Sequence, residues 1–314
     1  MAGKKSVFVS CPPMLGEKKQ VTMLAARVGL SVEFGDLVQT LSEEQLIAIL
    51  PNFDAWVAGD DPGTATVLEA GRKGRLRTIV KWGVGIDNID RTAIERLDLQ
   101  FAHTPGMFSH EVADMAMGYL IVLTRHIARV DCAVRAGEWI KPQGTSLYGK
   151  SAGIVGLGNI GQQLARRLST AGVSVIGYDP LFPEISGIEV RSWPEAVGEL
   201  DFLFLCCALT PDNVGMVNAS VLQEMKRGLR LINVSRGALV VESDLQDSLR
   251  EGHIGGAALD VFEVEPLPTD SPLIAMDNCI LGTHNASNTL EAVRATNDRA
   301  MKLVADLLNT ERNA

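Results

Sequence analysis

The chain has 314 residues, of which 46% are hydrophobic, and a formal net charge of −9 at pH 7. This length is typical of about two globular domains, and the acidic balance argues against nucleic acid as a partner, since phosphates bind basic surfaces. The longest apolar run, residues 115–123, is far shorter than the roughly 20 residues of a membrane-spanning helix, so no membrane association is expected.

The five cysteines are an odd number and show neither a disulfide framework nor the spacing of a metal site. The first residues contain no secretory signal pattern and lead directly into a short apolar run at Val7. These features predict a cytoplasmic protein that binds no metal.

Short β-branched apolar runs alternate with longer amphipathic segments along the whole chain, which predicts repeated βα units and parallel sheets. In the first third, strands are predicted at residues 7–10, 31–34, 55–58 and 78–81. Helices are predicted between them at residues 17–29, 42–50 and 64–71. The second of these helices begins at Ser42, and Gln45 follows three residues later, as in a capping box.

A long helix is predicted over residues 109–135 from its apolar spacing. A second βα series begins at Ala152 after a connection that contains Gly and Pro. Its strands are predicted at residues 153–155, 174–177, 202–205, 231–234, 256–259 and 279–281, and a last helix at 290–308. The predicted fold class is therefore α/β, with two Rossmann-like or flavodoxin-like domains that contain parallel sheets.

A glycine signature, Gly-Leu-Gly-Asn-Ile-Gly, occupies residues 156–161 between an apolar strand and an amphipathic segment. Gly156 permits a tight turn, Gly158 lets a pyrophosphate approach the backbone, and Gly161 lets the helix pack on the strand. The N–H groups near Asn159 and Ile160 lie at the start of the predicted helix and suit a diphosphate. The signature predicts a dinucleotide cofactor, with a glycine turn that binds no ligand as the alternative.

The residue that binds the ribose of the cofactor is expected about 20 residues after such a loop, at the end of the next strand. Asp179 lies there, just after the strand predicted at residues 174–177. A carboxylate at this position accepts a hydrogen bond from the 2′-hydroxyl and repels a 2′-phosphate. Residues 180–182 contain no Arg or Lys, so NAD rather than NADP is predicted.

Downstream of this loop, Arg236, Glu265 and His284 provide a guanidinium, a carboxylate and an imidazole, the groups needed to reduce a 2-keto acid with NADH. The chain resembles the D-isomer-specific 2-hydroxyacid dehydrogenases, the family that includes phosphoglycerate dehydrogenase and glyoxylate/hydroxypyruvate reductase. The matching segments are Lys-Trp-Gly-Val-Gly-Ile-Asp-Asn-Ile-Asp at 81–90, the glycine loop with Asp179, Asn-Val-Ser-Arg-Gly at 233–237, Ala-Leu-Asp-Val-Phe-Glu-Val-Glu-Pro at 258–266 and Gly-Thr-His-Asn-Ala at 282–286.

The resemblance implies a catalytic role for each of the three residues. His284 would protonate the carbonyl oxygen as hydride arrives, and would take the proton back in the oxidative direction. Glu265 would bind the other ring nitrogen, orient the imidazole and favour its protonated form. Arg236 would hold the substrate carboxylate and polarise the carbonyl.

The resemblance also implies contacts to the substrate and the cofactor. Backbone N–H groups of Val84 and Gly85 would bind the substrate carboxylate, and the nearby Lys81 favours an anion site over a simple turn. A separate hypothesis, which the resemblance does not decide, is that Lys81 contacts a second anionic or polar group of the substrate distal to the reacting carbon. The cofactor contacts implied are Asp260 at the nicotinamide amide, with a loop or helix-cap aspartate as the alternative, and Val234 and Cys207 along the ring and ribose.

In this family the nucleotide domain is inserted in the substrate domain, and the active site is the cleft between them. The resemblance therefore implies a substrate-binding domain at residues 1–104 and 286–314 and an NAD-binding domain at residues 105–285. The helix predicted over residues 109–135 resembles the dimer helix of the family, so a homodimer is expected, with a helix buried in one subunit as the alternative. The chain ends after its last helix, so no regulatory domain is expected.

The chain departs from the common family pattern at Phe108, where many relatives carry Asn, at Cys206, where His is more usual, and at Lys81-Trp82, which replaces Arg-Ala. The expected function is the NAD-dependent interconversion of a D-2-hydroxy acid and its 2-keto acid, with the particular acid and the direction open. The alternatives are an NAD(H)-sensing, corepressor-like binding protein of the same fold and a phosphite-type dehydrogenase, both of which share the Arg/Glu/His set.

Overall fold

The computed structural model describes residues 4–182, 185 and 187–310. The chain divides into two compact units, of which the first comprises Met1–Met107 with Asn288–Ala314 and the second comprises Phe108–Ser287. The second unit is therefore an insertion in the chain of the first. Each unit contains a parallel β-sheet with helices in its connections, which confirms the predicted α/β class.

The first unit begins with five strands, of which each of the first four is followed by at least one helix. Its strands are β1 (Lys5–Val9), β2 (Leu30–Phe34), β3 (Ala55–Ala58), β4 (Thr78–Lys81) and β5 (Gln100–His103). The helices between them are α1 (Pro12–Gly16), α2 (Lys18–Arg27), α3 (Glu43–Ile49), α4 (Ala65–Lys73) and α5 (Arg91–Arg96). The strands form one sheet in the order β2-β1-β3-β4-β5, and all neighbours are parallel. Every residue of β3 and β4 is buried, as expected where both faces of a parallel sheet are covered.

The second unit begins with two helices, α6 (Ser109–Arg125) and α7 (Ile127–Arg135). Its strands are β6 (Ser151–Val155), β7 (Ser174–Tyr178), β8 (Glu189–Val190), β9 (Phe202–Leu205), β10 (Arg230–Asn233), β11 (Gly256–Leu259) and β12 (Cys279–Leu281). Its other helices are α8 (Asn159–Thr170), α9 (Ala219–Glu224) and α10 (Glu242–Arg250). The parallel strands follow the order β12-β11-β10-β9-β6-β7-β8. The chain then returns to the first unit, which ends with α11 (Leu290–Thr310).

The capping box predicted at Ser42 is confirmed at the start of α3. The Ser42 hydroxyl accepts a hydrogen bond from the Gln45 backbone at 3.3 Å, and the Gln45 side chain accepts one from the Ser42 N–H at 2.9 Å. Two of the otherwise unpaired donors at this helix end are thereby satisfied. The residue type and the spacing, both visible in the sequence, were sufficient for this prediction.

The helix predicted over residues 109–135 is interrupted, so that prediction was wrong at one point. His126 adopts a left-handed conformation with φ of 54°, and it separates α6 from α7. Its ring Nε2 lies 3.1 Å from the carbonyl oxygen of Gln143. None of the residues of α7 is buried. The apolar spacing continues across the break, which is why the pattern alone predicted one helix.

Over residues 4–182, 185 and 187–310, no helix combines the length and the hydropathy that a membrane crossing requires. The same residues contain no cluster of His, Cys, Asp and Glu arranged to hold a metal ion. All five cysteines are free thiols.

Candidate active site

The three predicted catalytic residues follow three neighbouring strands of the second unit. Arg236 follows β10, Glu265 follows β11 and His284 follows β12, and these strands are adjacent in the sheet. Because the strands are parallel, their carboxyl ends lie at one edge, which is where α/β proteins bind ligands. The sheet order therefore brings together residues that are 48 positions apart in the sequence.

His284 and Glu265 form a direct pair. The His284 Nδ1 lies 2.8 Å from Glu265 Oε2, and the two side chains are 24% and 21% exposed. A carboxylate only accepts hydrogen bonds, so Nδ1 donates in this pair and Nε2 is the ring atom that can exchange a proton with another group. The other oxygen of Glu265 accepts from the Phe262 N–H at 3.0 Å, which fixes the carboxylate. This arrangement is that of an oriented acid–base imidazole.

A buried aspartate holds the segment that carries His284. The backbone N–H of His284 donates to the Asp260 carbonyl at 2.6 Å, and the Asp260 carboxylate accepts from the Ala286 N–H and the Tyr119 hydroxyl, each at 2.8 Å. His284 itself has φ of 54°, a left-handed conformation that needs such support in a non-glycine residue. Asp260 is 1% exposed. The structure thus assigns Asp260 a positioning contact, whereas its contact with nicotinamide stays a prediction.

Tyr119 was not singled out from the sequence, because its spacing on α6 is that of an ordinary apolar helix position. Burial and the neighbouring Asp260 carboxylate raise the pKa of Tyr119. The phenol therefore remains a hydrogen-bond donor to Asp260 at physiological pH. No signal in the sequence connects two residues that are 141 positions apart.

Arg236 lies in a turn that the buried side chain of Asn233 stabilises through two hydrogen bonds. The Asn233 amide donates to the Arg236 carbonyl at 2.8 Å, and its oxygen accepts from the Ser235 N–H at 3.0 Å. Gly237 packs its backbone directly on the backbone of Phe262, and a Cβ at Gly237 would overlap the Phe262 carbonyl group. The turn after β10 is therefore packed against the loop that leads to Glu265.

The glycine loop connects β6 to the start of α8. A Cβ on Gly161 would overlap the carbonyl oxygen of Gly156, so only glycine allows this close helix–strand packing. A Cβ on Gly158 would meet nothing within 4 Å, so the backbone there borders open space. The N–H groups of the first turn, from Asn159 and Ile160, have no partner within the helix by its geometry. The loop thus has the form of a diphosphate cradle, and its residues fit a dinucleotide.

Asp179 follows β7 and binds the glycine loop directly. Its Oδ2 accepts from the Leu157 N–H at 2.7 Å, and its Oδ1 accepts from the Leu181 N–H at 2.8 Å. The carboxylate predicted to recognise the ribose therefore also holds the shape of the loop, a role that spacing alone did not indicate.

Cys207 and Val234 follow the neighbouring strands β9 and β10. The Ser235 hydroxyl donates to the Cys207 carbonyl, and the Gly156 turn packs against the Cys207 backbone. Burial raises the pKa of the Cys207 thiol to about 11, so the thiol stays uncharged. Val234 is 9% exposed. Both residues lie at the carboxyl edge, and their contacts with the cofactor remain predictions.

In the first unit, the loop after β4 presents two backbone donors. Within the described residues, the N–H groups of Val84 and Gly85 donate no hydrogen bond. The buried Thr104 holds the loop: its hydroxyl accepts from the Gly83 N–H at 2.8 Å, and its own N–H donates to the Gly83 carbonyl at 3.2 Å. His103 Nδ1 lies 3.3 Å from the Val84 carbonyl. Neighbouring donors held in a fixed loop suit an anionic oxygen.

Lys81 is the last residue of β4, and it is paired. Its Nζ lies 2.9 Å from Asp60 Oδ1 and donates to the Trp82 carbonyl at 3.4 Å. The Lys81 side chain is 3% exposed, so the pair is a buried cation held by a more accessible carboxylate. The sequence indicated Lys81 but not Asp60.

Known proteins agree with this architecture. The family model for the NAD-binding domain of D-isomer-specific 2-hydroxyacid dehydrogenases matches residues 117–286. A hydroxypyruvate reductase from Thermotoga maritima is 35% identical over 261 residues, which is 81% of this chain and 84% of that protein. A D-3-phosphoglycerate dehydrogenase from Methanocaldococcus jannaschii is 35% identical over 279 residues, 86% of this chain but 53% of that protein, so the chain spans about half its length.

A solved structure of similar extent has the same fold. The structure of D-lactate dehydrogenase from Escherichia coli superposes with a TM-score of 0.84 and 28% identity, and the match covers 97% of each chain. Parallel sheets, a dinucleotide loop and an Arg/Glu/His set at a strand edge define an NAD-dependent oxidoreductase of the Rossmann type. This chain belongs to the D-isomer-specific 2-hydroxyacid dehydrogenases, as the resemblance implied.

Proposed function

We propose that the chain interconverts a D-2-hydroxy acid and its 2-keto acid through His284, Glu265 and Arg236. The observation that carries this assignment is the 2.8 Å pair between His284 and Glu265, placed beside the Arg236 turn at the carboxyl edge of the sheet with the dinucleotide loop. NAD, when bound, accepts hydride from the hydroxy acid or, as NADH, donates it to the keto acid.

His284 supplies the proton in this proposal. Its Nε2 gives a proton to the carbonyl oxygen during reduction and removes it from the hydroxyl during oxidation. Glu265 accepts from Nδ1 and stabilises the positive charge of the ring in the protonated state. Asp260 acts through the backbone, because it fixes the segment in which His284 takes its left-handed conformation.

Two sets of groups are assigned to the substrate carboxylate. Arg236 has a planar guanidinium that binds a carboxylate with two parallel hydrogen bonds and polarises the adjacent carbonyl. The N–H groups of Val84 and Gly85, in the loop that Thr104 holds, are assigned as hydrogen-bond donors to a carboxylate oxygen. We assign the first unit to substrate binding and the second to NAD binding and proton transfer.

The cofactor is held by the glycine loop and its surroundings. Gly156, Gly158 and Gly161 shape the turn, and the N–H groups of Asn159 and Ile160 face the diphosphate. Asp179 accepts from the ribose hydroxyls, and Val234 and Cys207 line the ring and ribose. Asp260 follows β11, and we assign it to the nicotinamide amide in addition to its contacts with the His284 segment.

We also propose that the chain forms a homodimer. The segment from α6 onward exposes several large apolar side chains: Ile121 (37%), Ile127 (47%), Val134 (47%), Trp139 (81%) and Tyr148 (82%). Apolar side chains at this exposure and in one continuous segment are typical of a protein interface. We also place the protein in the cytoplasm, because its five free thiols suit a reducing compartment.

Replacing both Ile127 and Val134 with Asp is expected to convert the dimer to a monomer, since two charges would have to be buried without partners. Light scattering after size-exclusion chromatography measures the mass of each variant against a chain mass of 33.8 kDa. Met23→Asp, at a 58% exposed position on α2, is the matched control and is expected to remain dimeric. A wild-type protein that is monomeric at micromolar concentration contradicts the dimer.

The first test of the function is NADH oxidation in the presence of a panel of 2-keto acids. The panel contains 2-keto acids with different side chains: glyoxylate, hydroxypyruvate, phosphohydroxypyruvate and branched-chain keto acids. Phosphite is tested separately with NAD, as the alternative hydride donor. Turnover of at least one keto acid is expected. Tight NADH binding without turnover of any acid would favour the sensing protein, and turnover of phosphite alone would favour the phosphite-type enzyme.

A further inference from the structure

The amino edge of the second-unit sheet contains a small open cavity of about 120 Å³. It lies among the starts of β10 and β12, the turn before β11 and the junction of α6 and α7, so all of its lining belongs to the second unit. Because the strands are parallel, this edge is opposite to the one that carries Arg236, Glu265 and His284. The proposed function uses none of the residues that line the cavity.

Arg230, the first residue of β10, is a partly buried cation that lines this cavity. Two glycines at the start of β11 make room for its side chain. A Cβ on Gly255 would overlap the guanidinium, and a Cβ on Gly256 would meet Arg230 Cδ at 3.4 Å. Burial lowers the pKa of Arg230, but a guanidinium remains charged at physiological pH. The sheet therefore holds a permanent positive charge at this edge.

No carboxylate balances the charge of Arg230 over residues 4–182, 185 and 187–310. The one hydrogen bond of its side chain in these ranges runs from Nη1 to the Gly228 carbonyl, and no carboxylate oxygen lies within 4.0 Å. By contrast, Arg167 and Arg191, which are also partly buried, each pair with a carboxylate, at 2.6 and 2.7 Å. A charge that is taken out of water without a counter-ion is costly, so Arg230 favours an anion beside it.

The other charged groups that line the cavity leave it with a net positive charge. Arg129, in the first turn of α7, is a second guanidinium, and in the described part of the chain its side chain forms no hydrogen bond or ion pair. Asp277, just before β12, is the single carboxylate of the lining, and it is exposed. The His126 ring also lines the cavity, and its Nε2 lies 3.1 Å from the Gln143 carbonyl. Two permanent positive charges therefore accompany one negative charge.

We propose that Arg230 and Arg129 bind an oxyanion of the size of phosphate in this cavity, either free phosphate or the phosphate group of a small monoester. A planar guanidinium binds such an oxyanion through two parallel hydrogen bonds. The volume is well below the roughly 300–1,000 Å³ of a pocket for a drug-sized ligand, so a small anion fits and a nucleotide does not. The carbonyls of Val122 and Leu123 at the end of α6 already accept from the His126 N–H, which reduces their repulsion of an anion.

The test is a calorimetric titration of inorganic phosphate into the protein saturated with NADH. NADH occupies the glycine loop, and sodium chloride holds the ionic strength constant, so that general screening does not change during the titration. Saturable binding of one phosphate per chain is expected, with a Kd of about 1 mM or tighter. The absence of saturable binding would overturn the inference. No keto acid is turned over in this experiment, so its outcome is independent of the proposed function.

Variants locate the phosphate. Arg230→Gln is expected to weaken phosphate binding by at least about 10-fold, since it removes the hydrogen bonds of a charged group. Arg135→Gln is the matched control, because it removes the same charge from α7 at a side chain that is 77% exposed and does not line the cavity. Arg236→Gln tests the proposed substrate site and is expected to leave the Kd for phosphate unchanged. Loss of binding in Arg236→Gln with retention in Arg230→Gln would place the phosphate in the substrate site and contradict the inference.

Two exposed positions give a test that does not depend on whether the Arg230 variant folds. Arg129→Gln is expected to weaken phosphate binding by about threefold, and Asp277→Asn is expected to tighten it by about threefold, which is the size of effect that one exposed charge has. The two changes have opposite signs because they remove opposite charges from one cavity. Changes in the same direction, or no change in either variant, would contradict the site.

Two further measurements identify the source of the anion. Titration with glycerol 3-phosphate in place of phosphate distinguishes a monoester, which would bind as tightly or more tightly, from free phosphate, and either result supports the site. Because α7 belongs to the proposed dimer interface, a carboxylate of a second copy is the other group that could pair with Arg230. Conversion of the dimer to a monomer by Arg230→Gln, seen by light scattering, together with no phosphate binding by the wild type, would assign Arg230 to that contact and overturn the inference.

Discussion

Replacing His284 with Ala is expected to lower kcat for keto-acid reduction by about 10²–10⁴-fold, because general acid–base catalysis by a positioned imidazole contributes that much. NADH binding is expected to persist, since the glycine loop and Asp179 lie on other strands of the sheet. Steady-state kinetics with the best keto acid of the panel measure the first effect, and fluorescence titration with NADH measures the second.

The matched control for this variant is His253→Ala. His253 precedes β11, at the opposite edge of the sheet, and its Nε2 lies 3.0 Å from the Met225 carbonyl. Its removal is expected to leave kcat unchanged. A His284→Ala enzyme that retains wild-type kcat would show that another group supplies the proton.

The Glu265→Gln variant tests the contribution of Glu265 to the His284–Glu265 pair. The amide still occupies the position beside His284, but it lacks the negative charge that stabilises the protonated ring. The enzyme is therefore expected to lose reductase activity at a lower pH than the wild type, because the ring loses its proton earlier as pH rises. Superimposable pH profiles for the two enzymes would contradict the role of Glu265, whereas a purely structural role would lower activity without moving the profile.

Replacing Arg236 with Gln is the second change with a large expected effect. A hydrogen bond to a charged group is worth roughly 1.5–3 kcal/mol, and Arg binds a carboxylate through two of them. We therefore expect kcat/KM for the keto acid to fall by about 10²-fold or more, chiefly through KM. The affinity for NADH is expected to stay within about threefold of the wild-type value, a difference of less than 1 kcal/mol.

Arg236→Lys distinguishes geometry from charge. Lysine retains the positive charge but lacks the planar fork, so only a partial recovery of kcat/KM is expected. Arg250→Gln, a change at an exposed position on α10, is the control for the loss of one positive charge. Full recovery in the Lys variant would mean that charge alone holds the carboxylate, and equal losses in the Gln and control variants would exclude Arg236 from the site.

Much of the fold could be predicted because buried parallel strands have a simple sequence pattern. The strands predicted at residues 55–58, 78–81, 202–205, 256–259 and 279–281 coincide with β3, β4, β9, β11 and β12. Each of these is short, apolar and bounded by turn residues. In contrast, β5 was missed, because it is the edge strand of its sheet and all four of its residues are only partly buried. An edge strand does not need the apolar run that reveals a central one.

Helix boundaries were also predicted correctly only where a local sequence pattern marks them. Ser42 and Gln45 predicted the start of α3, because a capping box is a local contact between residues three positions apart. The break at His126 was not predicted, because the apolar spacing continues across it; the contact of the His126 ring with Gln143, 17 residues away, has no local sequence signal either. Local spacing therefore predicted how helices begin better than where a long helix is interrupted.

The sequence by itself determined the α/β class, the dinucleotide loop with its aspartate and the family, and it predicted Arg236, Glu265 and His284 as the catalytic residues. These features are local: each depends on residue type and on spacing within about one supersecondary unit. Tertiary structure alone decided that Tyr119 and Asp260 hold the His284 segment, and that Asp60 neutralises Lys81. Such contacts join residues on different strands or helices, so they depend on strand order and register, which no local pattern specifies.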